Sequence, residues 1–294
     1  MGTTERLGLL CSGGGIAGSY IAGVFSELYD AGVTADSFAR INATSVSALI
    51  APSYALGDIH KQLDIWLKGR LKHLMNWRRP HRPLDLEGLM EDAKSICPLN
   101  IHTLRRLRIP LEVSVTCCDT GESILIDLRT VPDPHDAMIA SAALPQFHNA
   151  VPLLINGVRR RTVDGGMSRE LPINRMMKSV NKVLVILCYP KEERASPMAL
   201  HWRMLACPYP WRDKGLRSAL LERHRTYNES LDRILQLEQE GRAVVIAPKQ
   251  SLFDARGRSC CRWRLDTNQE GVNRAIELGR QDAQRAITLL SLAA

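Results

Sequence analysis

The sequence predicts a three-layer α/β/α fold with a mostly parallel central sheet and a helical C-terminal extension. Three observations predict it. A short apolar run, "RLGLLCS", passes through a glycine cluster into an amphipathic helix, and a second β-leaning run, "SFARINAT", passes into another. That strand–helix–strand–helix order calls for right-handed crossovers between parallel strands. Further on, "KVLVILCYP" is apolar and rich in β-branched residues, the pattern of a strand covered on both faces. With 294 residues, 45% of them hydrophobic, the chain has enough core for one large domain or a domain with an appendage.

The elements follow in order. The first helix places Tyr20, Ile21, Val24, Phe25 and Leu28 on one face and stops at Gly32. The second, "VSALIAPSYALG", ends at Gly57 and carries Pro52 inside it. An interior proline removes one backbone bond and costs ~3 kcal/mol if uncompensated, so a kink is expected there. A helical, basic segment spans roughly Asp58 to Leu107. "LEVSVTCCD", a turn at "TGE" and "SILIDL" then read as a hairpin, and "HDAMIASAALP" as a short helix closed by Pro145. "RTVDGG" ends a strand on a glycine turn. After "KVLVILCYP" a Pro/Trp-rich stretch, "ALHWRMLACPYPWRDKG", marks a composition shift. We place a core at residues 5–200 and a mainly helical extension packed on it at 201–294. The extension holds a long helix with Leu220, Tyr227, Leu231 and Ile234 on one face, a strand "RAVVIAP", and a last helix carrying Val272, Ile276, Ala283 and Ile287.

Charge and cysteine usage narrow the function classes. The formal net charge is +8, gathered in "LKGRLKHLMNWRRPHRP", "LRRLR" and the run Arg159 to Arg161. Such runs are solvated basic faces or contacts for an anionic partner. A nucleic-acid role is not expected, because no aromatics interleave with the charge on a recognisable sheet. None of the eight cysteines falls in C-x-x-C spacing, which gives zinc or redox motifs little support. The first apolar stretch is short and glycine-broken, so no secretory leader is expected, and reduced thiols in a cytoplasmic setting are. No apolar run reaches the ~18 residues of a spanning helix.

Three short stretches carry candidate chemistry. In "GGGIAG", Gly13 to Gly18, glycines after a strand and before a helix free backbone N–H groups for an anion. The spacing Gly13-x-Gly15-x-x-Gly18 also matches a dinucleotide fingerprint, but the second strand ends Asn42-Ala43-Thr44 with no carboxylate for a ribose. In "INATSVSALI", Ile41 to Ile50, Ser45 sits between Ala43 and Ser47, small residues that a nucleophile elbow needs. Ser45 is equally placed for an N-cap, worth ~1 kcal/mol. In "TVDGGMSRELP", Asp164 closes a strand where ligands of α/β sheets bind. It is a candidate base, and equally the start of an Asx-turn.

Among eight histidines, His148 in "PQFHNAV" reads as a partly exposed loop residue and stands as an alternative base. His73 and His81, set among arginines, read as part of a basic face. No histidine pair has metal-ligand spacing with a nearby Cys or carboxylate.

The order of these stretches resembles the patatin-like phospholipase family. A glycine-rich loop is followed by a small-x-Ser-x-small elbow some thirty residues on, then by D-G-G far downstream. "CDTGES" is similar to that family's turn after a central strand, and "ASAALPQFHNAVPLLINGVRRRTVDGG" to its A-S-x-A-x-P segment leading into D-G-G. "ELPI" also fits. The resemblance covers roughly residues 5 to 190, and the C-terminal hundred residues loosely resemble accessory segments of bacterial members.

The resemblance implies a serine acyl hydrolase working by a Ser–Asp dyad, through an acyl-enzyme and without cofactor or metal. Carried over, Ser45 is the nucleophile, Asp164 the general base, and the amides of Gly13, Gly14 and Gly15 form the oxyanion hole. Two positions depart from the family pattern: the elbow is A-x-S-x-S without glycines, and Ala17 stands where members usually carry Arg or Lys. The substrate expected is a lipid or other acyl ester. The site of action expected is the cytoplasm, with peripheral contact to an anionic inner membrane face. Trp66, Leu71, Leu74, Met75 and Trp77, among basic residues, form either a docking helix or core. Two other functions stay open: a catalytically weak lipid-binding protein on the same fold, and a dinucleotide-dependent oxidoreductase.

Overall fold

The computed structural model describes residues 6–292 except 69–70, 72–73, 77, 80–81, 198–212, 255–258 and 262–264. In chain order the elements are β1 (Leu7–Cys11), α1 (Gly18–Asp30), β2 (Arg40–Thr44), α2 (Val46–Ala55), α3 (Ile59–Leu67), α4 (Leu86–Ile96) and α5 (Ile101–Arg105). Then follow β3 (Leu111–Cys117), β4 (Ser123–Asp127), α6 (Pro134–Ala142), β5 (Val151–Ile155), β6 (Val158–Asp164), α7 (Ile173–Met176) and β7 (Lys182–Ile186). Last come α8 (Lys214–Gln239), β8 (Ala243–Ile246) and α9 (Gln269–Leu292).

Alternation along the strands explains the layers. Leu9 and Cys11 of β1, with Leu184 and Ile186 of β7, belong to a core shared with α1, α2 and α6. Leu10, Val183 and Val185 point the other way, into a second core with α7 and α8. Side chains of successive strand residues face opposite sides, so a run that is apolar throughout must be covered twice. The sheet is mixed. Its parallel part runs β3-β2-β1-β7-β8, and β4, β5 and β6 are antiparallel additions.

The hairpin β5–β6 was not expected as a pair of strands. It closes on Asn156 and Gly157, both at positive φ (51° and 76°), the backbone that a two-residue hairpin turn favours. α2 continues across Pro52 to Ala55. The division expected near residue 200 falls within 198–212, outside the described residues.

The residues after 212 join the sheet as well as its cover. β8 pairs in parallel with β7, Val183 opposite Ala243 and Ile186 opposite Ile246. α9 crosses α1 at backbone contact. A Cβ on Gly279 would lie 2.1 Å from the Tyr20 carbonyl oxygen, and one on Gly23 would lie 2.1 Å from that of Ile276. The Tyr20 hydroxyl also donates to Asp282 Oδ2 at 2.8 Å. The helix that follows the glycine loop is therefore held from the C-terminal end of the chain. Among the described residues no helix is long and apolar enough to cross a membrane.

Candidate active site

The register of one strand brings the two candidate residues together. β4 pairs with residues 112–116 of β3 on one edge, while β2 pairs with 111–114 and β6 with 115–117. A strand has two edges, so β2 and β6 meet end to end on the other. Thr44, the last residue of β2, faces Ser114, and Asp164, the last of β6, faces Val115. Ser45, next after Thr44, thus emerges beside Asp164.

Ser45 sits at φ 60°, ψ −128°, a left-handed conformation for a residue with a side chain. Such geometry costs on the order of 1–3 kcal/mol and persists only where the surroundings over-determine it. Here they do. The Ser45 amide donates to Ser141 Oγ at 3.0 Å, and Ser141 Oγ donates to the Ser114 carbonyl at 2.7 Å. Ser47, standing where the family pattern has glycine, is buried and useful: its Oγ accepts the Thr44 amide at 2.8 Å and donates to the Thr44 carbonyl at 2.8 Å. The missing glycine is replaced by a hydroxyl that ties the turn to itself.

The N-cap reading of Ser45 is overturned, because its side chain caps nothing at the start of α2. Instead Ser45 Oγ donates to Asp164 Oδ2 at 2.6 Å. The Asx-turn at Asp164 is present as well: Oδ1 accepts the Gly166 amide at 2.7 Å. One carboxylate oxygen fixes the turn and the other meets Ser45. Asp164 is 1% exposed. Burial pushes its pKa up to about 6, with Glu170 adding to the rise, while the Ser45 and Gly166 hydrogen bonds and the Arg223 charge pull it back.

The glycine loop packs directly on this pair. A Cβ on Gly13 would lie 2.8 Å from Ser45 Cβ, and one on Gly14 would lie 2.7 Å from both Cβ and Sγ of Cys188. Gly15 has φ 59°, a backbone that favours glycine. The amides of Gly13, Gly14 and Gly15 find no protein acceptor among the described residues. Gly18 lets α1 approach α2, since its Cβ would meet Val46 at 2.3 Å; close packing explains the third glycine of the spacing. The carboxylate that a dinucleotide site needs at the end of β2 is absent there, where Thr44 is followed by Ser45. Ala17, at the expected cation position, is fully buried and its carbonyl accepts from Cys188 Sγ at 3.6 Å.

Ser45 and Gly15 open onto a cavity of about 80 Å³ with mainly apolar walls, among them Leu49, Ile65, Met90 and Met138. Trp66, Leu71 and Leu74 are buried in the same walls. Met75 is half-buried against the core, and Trp77 lies outside the described residues. The described members of this group are thus core, turned toward the cavity rather than outward.

His148 requires a correction. It lies in a loop as expected but is buried, and its Nε2 lies 3.1 Å from both carboxylate oxygens of Glu87 while Nδ1 lies 2.8 Å from the Asn149 carbonyl. Both ring nitrogens are engaged away from Ser45. His73 and His81 lie outside the described residues. Sequence reasoning missed Ser141, Ser114 and Arg223 as supports of the site. Only the serine of "ASAALP" carried a local signal, as part of a recognisable segment.

Residues 9–177 match the family model described as patatin-like phospholipase, and residues 213–291 match a domain of unknown function, DUF6363. Among curated proteins, the uncharacterized protein YjjU of Escherichia coli (strain K12) is 26% identical over 189 residues, covering 62% of this chain and 51% of that protein. The chain therefore spans about half the length of the curated relative it matches. Among solved structures, VipD from Legionella pneumophila aligns over 95% of this chain and 67% of that one, with 13% identity and a TM-score of 0.42.

Proposed function

The chain belongs to the patatin-like phospholipase family, and we propose that it hydrolyses carboxylic esters of lipids through an acyl-enzyme on Ser45. The observation that carries this reading is the 2.6 Å hydrogen bond from Ser45 Oγ to Asp164 Oδ2 at the mouth of an apolar cavity. A serine hydroxyl is a weak nucleophile until a base takes its proton, and a buried carboxylate with a raised pKa is a better base than one in water.

In this reading the ester's acyl chain lies in the cavity and its carbonyl carbon faces Ser45 Oγ. As the Oγ–C bond forms, the hydroxyl proton passes to Asp164, and negative charge develops on the carbonyl oxygen. The unpartnered amides of Gly13, Gly14 and Gly15 meet that charge; losing one such donor typically costs ~3 kcal/mol of transition-state stabilisation. Collapse breaks the C–O bond to the alcohol, which leaves with the proton from Asp164. Water then gives a proton to Asp164 and attacks the acyl-enzyme, releasing the carboxylic acid and returning the proton to Ser45. The left-handed backbone at Ser45 supports this reading, since strain held by surrounding bonds is a property of working sites more than of ordinary caps.

The test is hydrolysis of p-nitrophenyl esters of graded chain length by wild type, Ser45→Ala and Asp164→Asn. Loss of turnover in both variants, with folding intact, supports the reading. Equal rates for all three would assign the activity elsewhere.

A further inference from the structure

The long helix α8 belongs to the segment matched only to a domain of unknown function, yet it reaches the turn that carries Asp164. Arg223 Nε donates to the Gly166 carbonyl at 2.6 Å, and its Nη2 donates to Glu170 Oε2 at 3.1 Å. Gly166 is the residue whose amide holds Asp164 Oδ1. Glu170 also reaches the other half of the site, because its backbone carbonyl accepts Thr44 Oγ1 at 2.9 Å, one residue before Ser45. One turn along α8, Thr226 Oγ1 donates to the Ser168 carbonyl at 2.8 Å. Glu170 is 5% exposed and Arg223 is its one ion-pair partner among the described residues.

We propose that Arg223 is a positioning residue contributed by the C-terminal segment: its guanidinium clamps the Gly166 carbonyl and the Glu170 carboxylate together, and so holds Asp164 in register with Ser45 while offsetting the second buried acid. The inference rests on the Ser45–Asp164 reading above. A bidentate guanidinium suits this task, because its planar fork fixes two acceptors in one geometry and a lysine does not.

The groups facing the Asp164 carboxylate are Ser45, the Gly166 amide, Glu170 and Arg223. Tyr189, Glu193, Arg194 and Tyr227 line the small cavity behind Glu170 and Arg223. Glu170 raises the proton affinity of Asp164 and Arg223 lowers it. Removing the arginine charge therefore moves the Asp164 titration to higher pH, removing the glutamate charge moves it lower, and removing both brings it back toward wild type. A purely structural clip does not predict that pattern.

The experiment follows the Asp164 carboxyl by carbon-13 NMR across pH in the full chain, its signal assigned by loss in Asp164→Asn. It compares wild type, Arg223→Gln, Glu170→Gln, the double variant and Arg223→Lys, with pH profiles of p-nitrophenyl butyrate hydrolysis beside them. Arg223→Gln is expected to raise the midpoint, and a rise of about one unit would cut the deprotonated fraction at pH 6, and with it kcat/KM, about fivefold. Glu170→Gln is expected to lower the midpoint, and the double variant to fall between the two. Arg223→Lys, the reserve should the glutamine variant not fold, is expected to keep the midpoint and lose at least about fivefold in kcat through loss of the fork. Folded variants whose midpoints and rates all stay within error of wild type would overturn the proposal. The NMR titration needs no turnover, so a wild-type protein inert toward esters would sink the hydrolase reading while leaving the Arg223 clamp tested.

Discussion

Thr44 and Asp164 lie opposite consecutive residues of a single strand, Ser114 and Val115, although 120 positions separate them in the chain. β3 thereby acts as a ruler: β2 stops where β6 begins on the same edge, and the hydroxyl that follows one meets the carboxylate that ends the other. A one-residue slip of either pairing would move its side chains to the opposite face of the sheet. The proposed dyad thus rests on backbone register first and on side-chain choice second.

Activity is expected to follow the ionisation of Asp164. With a pKa pushed up to about 6 by burial, the acid limb of kcat/KM is expected to bend near pH 6 and fall about tenfold per pH unit below it. A limb centred near pH 4, the range of a solvated aspartate, would argue against this base.

Stability is expected to run the other way. Because the folded pKa lies above the unfolded one, the native state binds more protons between about pH 4 and 6, and stability falls as pH rises through that window. Asp164→Asn, whose amide oxygen still accepts the Gly166 amide while its NH2 donates to Ser45 Oγ, is expected to raise Tm at pH 8, with the gain shrinking as pH drops toward 4. Thermal melts across that range decide it, and a variant less stable at pH 8 than at pH 4 relative to wild type would contradict the sign.

Ser47→Ala is expected to cost about 1–2 kcal/mol of stability and a larger share of kcat, since it leaves the buried Thr44 amide without its partner at the elbow. Urea unfolding and ester turnover measure the two effects. A neutral result in both would mean the turn needs no such tie.

Gly279→Ala is expected to destabilise the protein by about 1–3 kcal/mol, because the new methyl would sit 2.1 Å from the Tyr20 carbonyl where α9 crosses α1. Denaturant midpoints test it, and an unchanged midpoint would mean that the helices separate at no cost.

Filling the cavity is expected to change chain-length preference. Leu49→Trp is expected to lower kcat/KM for an octanoate ester about tenfold more than for an acetate ester, since each buried methylene is worth ~0.8 kcal/mol. A uniform loss would place the acyl chain elsewhere.

Much of this site was legible in the chain because its parts are local patterns at strand ends. Gly13 to Gly15, Ser45 and Asp164 each sit where an apolar run gives way to small residues, and such boundaries are readable one at a time. What was illegible depends on long-range pairing. Nothing local announces that Ser141 will take the Ser45 amide, that Arg223 will reach Gly166 from 57 residues away, or that Glu87 will bury His148. The apolar face of Trp66, Leu71 and Leu74 had a readable period, but a period does not say whether its face meets lipid or core. The hairpin β5–β6 did carry a signal, the Asn156–Gly157 pair, which went unread beside the arginines that follow it.

The central claim is tested most directly by intact-mass and peptide mapping after treatment of the folded chain with an alkyl fluorophosphonate. Nucleophilic attack at phosphorus expels fluoride and leaves a phosphonyl group on the attacking oxygen. The account predicts one adduct, on Ser45, absent from Ser45→Ala and slowed in Asp164→Asn. A folded wild-type chain that takes up no label, or carries it on another residue, would contradict it.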